Sequence, residues 1–135
     1  MNAATTLLWA AGAVHLGLAA MNFFLPSRIQ LGENLAKVSP MVRQMAIVHH
    51  AYIVAVLVGF ALLCFYYPAD LASGRGLGRA LAAGISIFWL GRIPIQLFVY
   101  DRELRRKHRG IDILLLAMVS FMGGVLGLAA IGGLP

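Results

Sequence analysis

Residues 44–67 read QMAIVHHAYIVAVLVGFALLCFYY, a stretch with no Asp, Glu, Lys or Arg. About 20 predominantly apolar residues cross a bilayer core as a helix. A run of this length that does not alternate apolar and polar residues can satisfy its backbone in lipid only as a helix. Residues 4–26 and 113–135 also lack Asp, Glu, Lys and Arg, and residues 80–100 carry Arg92 alone. The expectation is therefore an all-α polytopic membrane protein. It is a four-transmembrane-helix bundle occupying residues 1–135 as a single transmembrane domain, with spans at about 4–26, 44–67, 80–100 and 113–135.

Composition agrees. The 135 residues are 61% apolar and 12% charged, against about 45–50% and about 25% in an ordinary soluble domain. Disorder requires the opposite bias, low hydrophobicity with high charge. The formal charge of +6 does not argue for nucleic acid, because too little polar surface remains once the apolar runs are covered. The single cysteine excludes an internal disulfide framework and Cys-rich metal sites. The first span lacks a basic leading region and holds His15 and Asn22, so it reads as a retained helix and not as a cleaved signal segment.

The connecting segments set an orientation. Arg28, Lys37 and Arg43 lie in loop 27–43, and Arg102, Arg105, Arg106, Lys107 and Arg109 lie in loop 101–112; the other side has Arg75 and Arg79. Basic residues concentrate on the cytoplasmic side. Both basic loops are expected there, in a cell inner membrane, with both termini outside. Within residues 27–38, Leu31, Leu35 and Val38 recur at helical spacing among Arg28, Glu33 and Lys37. That pattern predicts a short interfacial amphipathic helix between the first two spans. Ser39-Pro40 reads as an N-cap and first-turn proline, and PADLASGRGLG (68–78) as a Gly-rich turn. The basic run 102–109 suits anionic lipid, at about 1 kcal/mol per basic residue near the surface.

Polar residues inside the spans carry the functional information, since they are costly in lipid and tend to face the bundle interior. His15 and Asn22 are seven residues apart and share a helical face; Arg92 and Gln96 are four apart and share another, which Trp89 and Tyr100 extend. His49 and His50 are adjacent, so about 100° separates them and at most one points squarely inward. At about 1.5 Å per residue, Asn22, His49, His50 and Gln96 lie roughly 6–9 Å from the cytoplasmic ends, and His15 and Arg92 roughly 12–17 Å. Segments from three helices thus agree in depth. No carboxylate lies in any span to pair with Arg92. The guanidinium is left with backbone carbonyls, Asn22, Gln96, a neutral His, water, a lipid phosphate or an anionic ligand, with Trp89 placed for a cation–π contact.

These residues predict a ligand-binding pocket in the cytoplasmic half, formed by Arg92, His15, His49, His50, Gln96, Asn22, Trp89 and Tyr100. Quinone, haem or lipid are its natural ligands. The histidines permit haem b, but His15 and His49 differ in depth by roughly 9 Å, which disfavours them as two axial ligands of one iron. No other metal site is expected, because carboxylate and thiolate ligands are missing at that depth. No catalytic residue is assigned: Ser86 and Ser120 have no His–Asp partners, although a small redox or lipid-modifying enzyme is a third reading. The alternative from another class is a non-catalytic structural or assembly subunit of a larger membrane complex, with the polar layer gluing helices together. Gly123 and Gly127 form a G-x-x-x-G step with Ser120 and Gly124 beside it, which suits close helix packing within the bundle, in a homo-oligomer or in a complex.

Overall fold

The computed structural model describes residues 2–28 and 30–135, and all regular structure among them is helical. Helix α1 spans Ala3–Arg28, α2 Leu31–Leu35, α3 Pro40–Tyr66, α4 Pro68–Ala72 and α5 Gly76–Pro94; a π-helical turn, Ile95–Val99, continues α5; α6 spans Arg102–Lys107 and α7 Arg109–Ala130. Four stretches, Ala3–Phe24, Pro40–Tyr66, Gly76–Val99 and Arg109–Ala130, are long and apolar enough to cross a membrane.

Local chemistry explains where the helices begin and end. Asn2 Oδ1 accepts the Thr5 N–H at 2.9 Å at the head of α1. Ser39 accepts the Val42 N–H at 3.4 Å, so Ser39 and Pro40 start α3 as cap and first-turn proline. The span read as beginning at residue 44 therefore starts one turn earlier. The last span ends before residue 135: Gly132 adopts φ 68°, a left-handed conformation that closes α7 at Ala130. The chain beyond it turns back, and the Pro135 carbonyl accepts the Ala4 N–H at 2.9 Å.

The connections differ from their sequence reading. The interfacial helix expected over 27–38 is a single turn, Leu31–Leu35; Ile29 lies outside the described residues. Ser27 and Arg28 prolong α1, and Gln30 with φ 51° breaks the chain before α2. At the other end Ser39 is extended (ψ 150°), the conformation a following proline favours. The Gly-rich turn opens with a helical turn, Pro68–Ala72, and the basic loop contains α6, whose first turn is capped by Asp101 Oδ1 accepting the Glu103 N–H at 2.7 Å.

Packing is closest between α1 and α3 and between α5 and α7, with α1 also touching α7 and α4. Leu8, Cys64, Leu71, Met122 and Leu126 are fully buried and tie these helices into one core. Two glycines permit the close approaches. A Cβ on Gly12 would lie 3.1 Å from Cys64 Cβ and from the Phe65 ring, and one on Gly123 would lie 2.7 Å from Leu90 Cδ2. The second contact is reinforced by the Ser86 hydroxyl, which donates to the Gly123 carbonyl at 2.7 Å. Gly127 faces Ser86 as well. The G-x-x-x-G step is thus occupied by α5, whereas Ser120 and Gly124 are exposed.

Candidate ligand-binding cleft

Two prolines and a π-helical turn shape the site. Pro26 has no N–H, so the Asn22 carbonyl four residues earlier in α1 has no partner in its own helix. His50 of α3 supplies one, with its Nε2 2.8 Å from the Asn22 carbonyl oxygen. The carbonyl only accepts, so His50 Nε2 carries the proton. The Asn22 side chain folds back onto its own helix, its Nδ2 donating to the Leu18 carbonyl at 2.8 Å. In α5, Pro94 leads into the π-helical turn Ile95–Val99. Such turns insert a residue into the helical repeat and so rotate the residues C-terminal to them.

That rotation brings Arg92 and Tyr100 together. Arg92 Nη2 donates to Tyr100 Oη at 3.1 Å, and the guanidinium carbon lies 5.6 Å from the centroid of the Tyr100 ring. The cation–π partner of Arg92 is therefore Tyr100, and not Trp89 as the three-residue spacing suggested. Tyr100, absent from the partners expected for the guanidinium, is the one it finds. Among the described residues Arg92 makes no ion pair.

Trp89 is committed elsewhere. Its indole N–H donates to His15 Nε2 at 2.8 Å, and His15 Nδ1 lies 2.7 Å from the Ala11 carbonyl. Indole N–H can only donate and a carbonyl can only accept. His15 is consequently neutral, with its proton on Nδ1 and its Nε2 lone pair directed at Trp89. Both residues are buried. His15, Phe60, Phe88 and Trp89 form a ring of edge-on aromatic contacts with centroid separations of 5.2–5.7 Å, a geometry that aligns ring edges with ring faces.

At the end of α5 a second polar network fastens the chain to α7. Gln96 Nε2 donates to the Asp112 backbone carbonyl at 3.0 Å and to its Oδ1 at 2.8 Å. Arg105 approaches the same carboxylate, Nη2 to Oδ2 at 3.0 Å, and its Nη1 donates to the Leu97 carbonyl at 3.2 Å. The Asp112 hydrogen bond raises the already high pKa of Arg105, so α6 is held by a permanent cation. Asp112, beside the basic run, is the node joining α5, α6 and α7.

These elements enclose an open cleft of about 680 Å³. Its polar lining is Asn22, His49, Tyr52, Arg92, Gln96 and Tyr100, and Leu18, Met21, Val56, Phe88 and Trp89 are among its apolar walls. Of the eight residues proposed from sequence, the structure thus brings six to one cleft. His15 stands behind the wall through Trp89, and His50 is turned to the Asn22 backbone. His49, exposed at the mouth, makes no hydrogen bond among the described residues. Tyr52 was missed, though its place three residues after His49 put it on the same side of the helix. A second cavity, about 500 Å³, lies at the opposite end between α3, α4 and α5, and none of the eight lines it.

The arrangement can hold a molecule with an acceptor-bearing head and an apolar body. Haem held by two histidines does not fit these residues: the Nε2 of His15 is engaged by Trp89 and that of His50 by a backbone carbonyl, leaving His49 alone. Among the described residues no three His, Cys, Asp or Glu gather into a metal site. Comparison of the chain with protein-family models, with curated proteins and with solved structures finds no match.

Proposed function

We propose that this chain is a small multi-pass membrane protein that binds an amphiphilic molecule in the cleft between α1, α3, α5 and the start of α7. The observation that carries this reading is the convergence of Arg92, Tyr100, His49, Gln96 and Asn22 on one space walled by apolar side chains. Ligand sites of about 300–1,000 Å³ combine such walls with a few placed polar groups. Membrane residence is supported by the outer surface. Along α3, Met45, Ile47 and Val48 are more than half exposed. Water would not tolerate so continuous an apolar face. The basic residues of α6 and of loop 27–43 support an orientation with that end of the helices at the cytoplasmic face of an inner membrane, where anionic lipid would meet residues 102–109. A quinone or a lipid meets the chemistry of the cleft, and so would haem on His49 alone.

The test is to fill the cleft. Val56→Phe adds volume at its wall without adding charge. Native mass spectrometry of protein released from its membranes should show a small molecule retained by the wild type and absent from the variant. Equal retention by both would refute the cleft as the binding site.

A second reading, a structural or assembly subunit, draws on the exposed Ser120 and Gly124 of α7. A Cβ on Gly124 would meet nothing within 4 Å, which leaves room for a helix of another chain. Under that reading Gly124→Leu disrupts assembly and Val56→Phe does not.

A further inference from the structure

We infer that the head of the ligand is an oxyanion, a carboxylate or a phosphate borne on an acyl chain, gripped jointly by Arg92 and Tyr100. The inference rests on the cleft reading above and narrows it.

Charge is the first argument. Arg92 is the sole charged residue among those lining the cleft. The carboxylate connected to the lining, Asp112, is already taken by Arg105 and by Gln96. A guanidinium at membrane depth seeks a counter-charge. A neutral carbonyl would accept a hydrogen bond from Arg92 and leave the charge uncompensated; an oxyanion does both.

The donor inventory is the second argument. A guanidinium has five N–H groups in a planar fork matched to carboxylate and phosphate, and Arg92 spends one, on Tyr100 Oη. Tyr100 accepts that bond, so its own O–H is free to point elsewhere. Of the side-chain amides on the lining, Gln96 spends both N–H groups on Asp112, and Asn22 spends one of its two on the Leu18 carbonyl. The donors that remain to greet a ligand are the Arg92 fork, the Tyr100 and Tyr52 hydroxyls, His49 and one Asn22 N–H, and among them the Arg92 fork alone is a permanent cation, with the Tyr100 hydroxyl beside it. Leu18, Met21, Ile53 and Val56 offer a chain its apolar path.

The experiment uses Trp9→Phe protein in phosphatidylcholine nanodiscs, which leaves Trp89, in the cleft wall, as the single tryptophan. Trp9 is 41% exposed and lies outside the cleft. Trp89 fluorescence is titrated with oleate, with dioleoyl phosphatidate, with methyl oleate as the uncharged twin, and with a short-chain quinone. Charge-assisted hydrogen bonds of about 1.5–3 kcal/mol predict that oleate or phosphatidate binds roughly 10- to 100-fold more tightly than methyl oleate. Arg92→Gln should erase that preference, and Tyr100→Phe, which keeps the ring, should reduce it several-fold in a protein that still folds. Oleate alone would identify a free fatty acid, phosphatidate alone a lipid headgroup, and either supports the inference. Methyl oleate or quinone binding as tightly as the acids, still blocked by Val56→Phe, would overturn the oxyanion and leave the cleft standing. No response to any amphiphile would overturn both.

Discussion

Replacing His15 with leucine isolates one hydrogen bond in the centre of the molecule. His15 is 0% exposed and Trp89 4% exposed, so no solvent replaces the lost acceptor. The other bond of the imidazole is less consequential. The Ala11 carbonyl that receives Nδ1–H also receives the backbone N–H of residue 15, as the helical repeat dictates, and it stays satisfied. The loss therefore falls on the indole N–H of Trp89. An unpaired buried donor costs about 1–3 kcal/mol in proteins generally, and side-chain hydrogen bonds between membrane helices have measured about 0.6–1.7 kcal/mol. Trp89→Phe leaves the opposite orphan, the Nε2 lone pair, and also a cavity. The double variant removes both orphans at once. A double-mutant cycle cancels the cavity contribution and should give a coupling of about 0.6–1.7 kcal/mol. The measurement is reversible unfolding of the detergent-solubilised protein by increasing mole fraction of dodecyl sulfate, monitored by circular dichroism. Strict additivity of the two single variants would refute both the Trp89–His15 bond and the neutral tautomer deduced from it.

Other consequences are equally concrete. His50→Ala should destabilise by about 1 kcal/mol by orphaning the Asn22 carbonyl, and adding Pro26→Ala should recover most of that loss by restoring an N–H in α1; absence of rescue in the same unfolding assay would show that His50 acts otherwise. Gly123→Leu drives a side chain into Leu90 and should cost about 1–3 kcal/mol, whereas Gly124→Leu should leave monomer stability within about 0.5 kcal/mol of wild type; similar losses would contradict the α5–α7 contact. Oxidised and dithionite-reduced absorption spectra of the purified protein should lack the signature of bis-histidine haem, since His15 and His50 are engaged; an intense Soret band with a sharpened reduced α band, abolished by His15→Leu or His50→Ala, would reverse that conclusion.

Legibility of the site depended on what kind of signal each residue carries. Arg92, Gln96, His49 and Asn22 stood out because polar groups in apolar runs are costly, and the shared depth of Gln96, His49 and Asn22 comes from a fixed rise per residue. Tyr52 did not stand out, because an aromatic in an apolar run reads as wall. Ser39 and Pro40 were legible as the cap and first turn of α3, whereas the early end of α7 was not, because the left-handed Gly132 that closes it lies within an apolar run. The interfacial helix shrank because spacing of leucines says nothing of the left-handed Gln30 that interrupts the chain.

The sequence by itself determined four apolar helices, the loops in which basic charge gathers, and the lone charge, Arg92, within residues 80–100. Hydropathy and charge suffice for these, because each is a property of a segment taken alone. Only the tertiary structure decided that His15 belongs to Trp89, that His50 serves the carbonyl Pro26 set free, and that Arg92 meets Tyr100. A helix apolar all round carries no periodic mark of its rotation, so its neighbours must fix it. A π-helical turn adds a residue to the repeat that local spacing does not announce, and hydrogen bonds between helices exist only once both rotations are set.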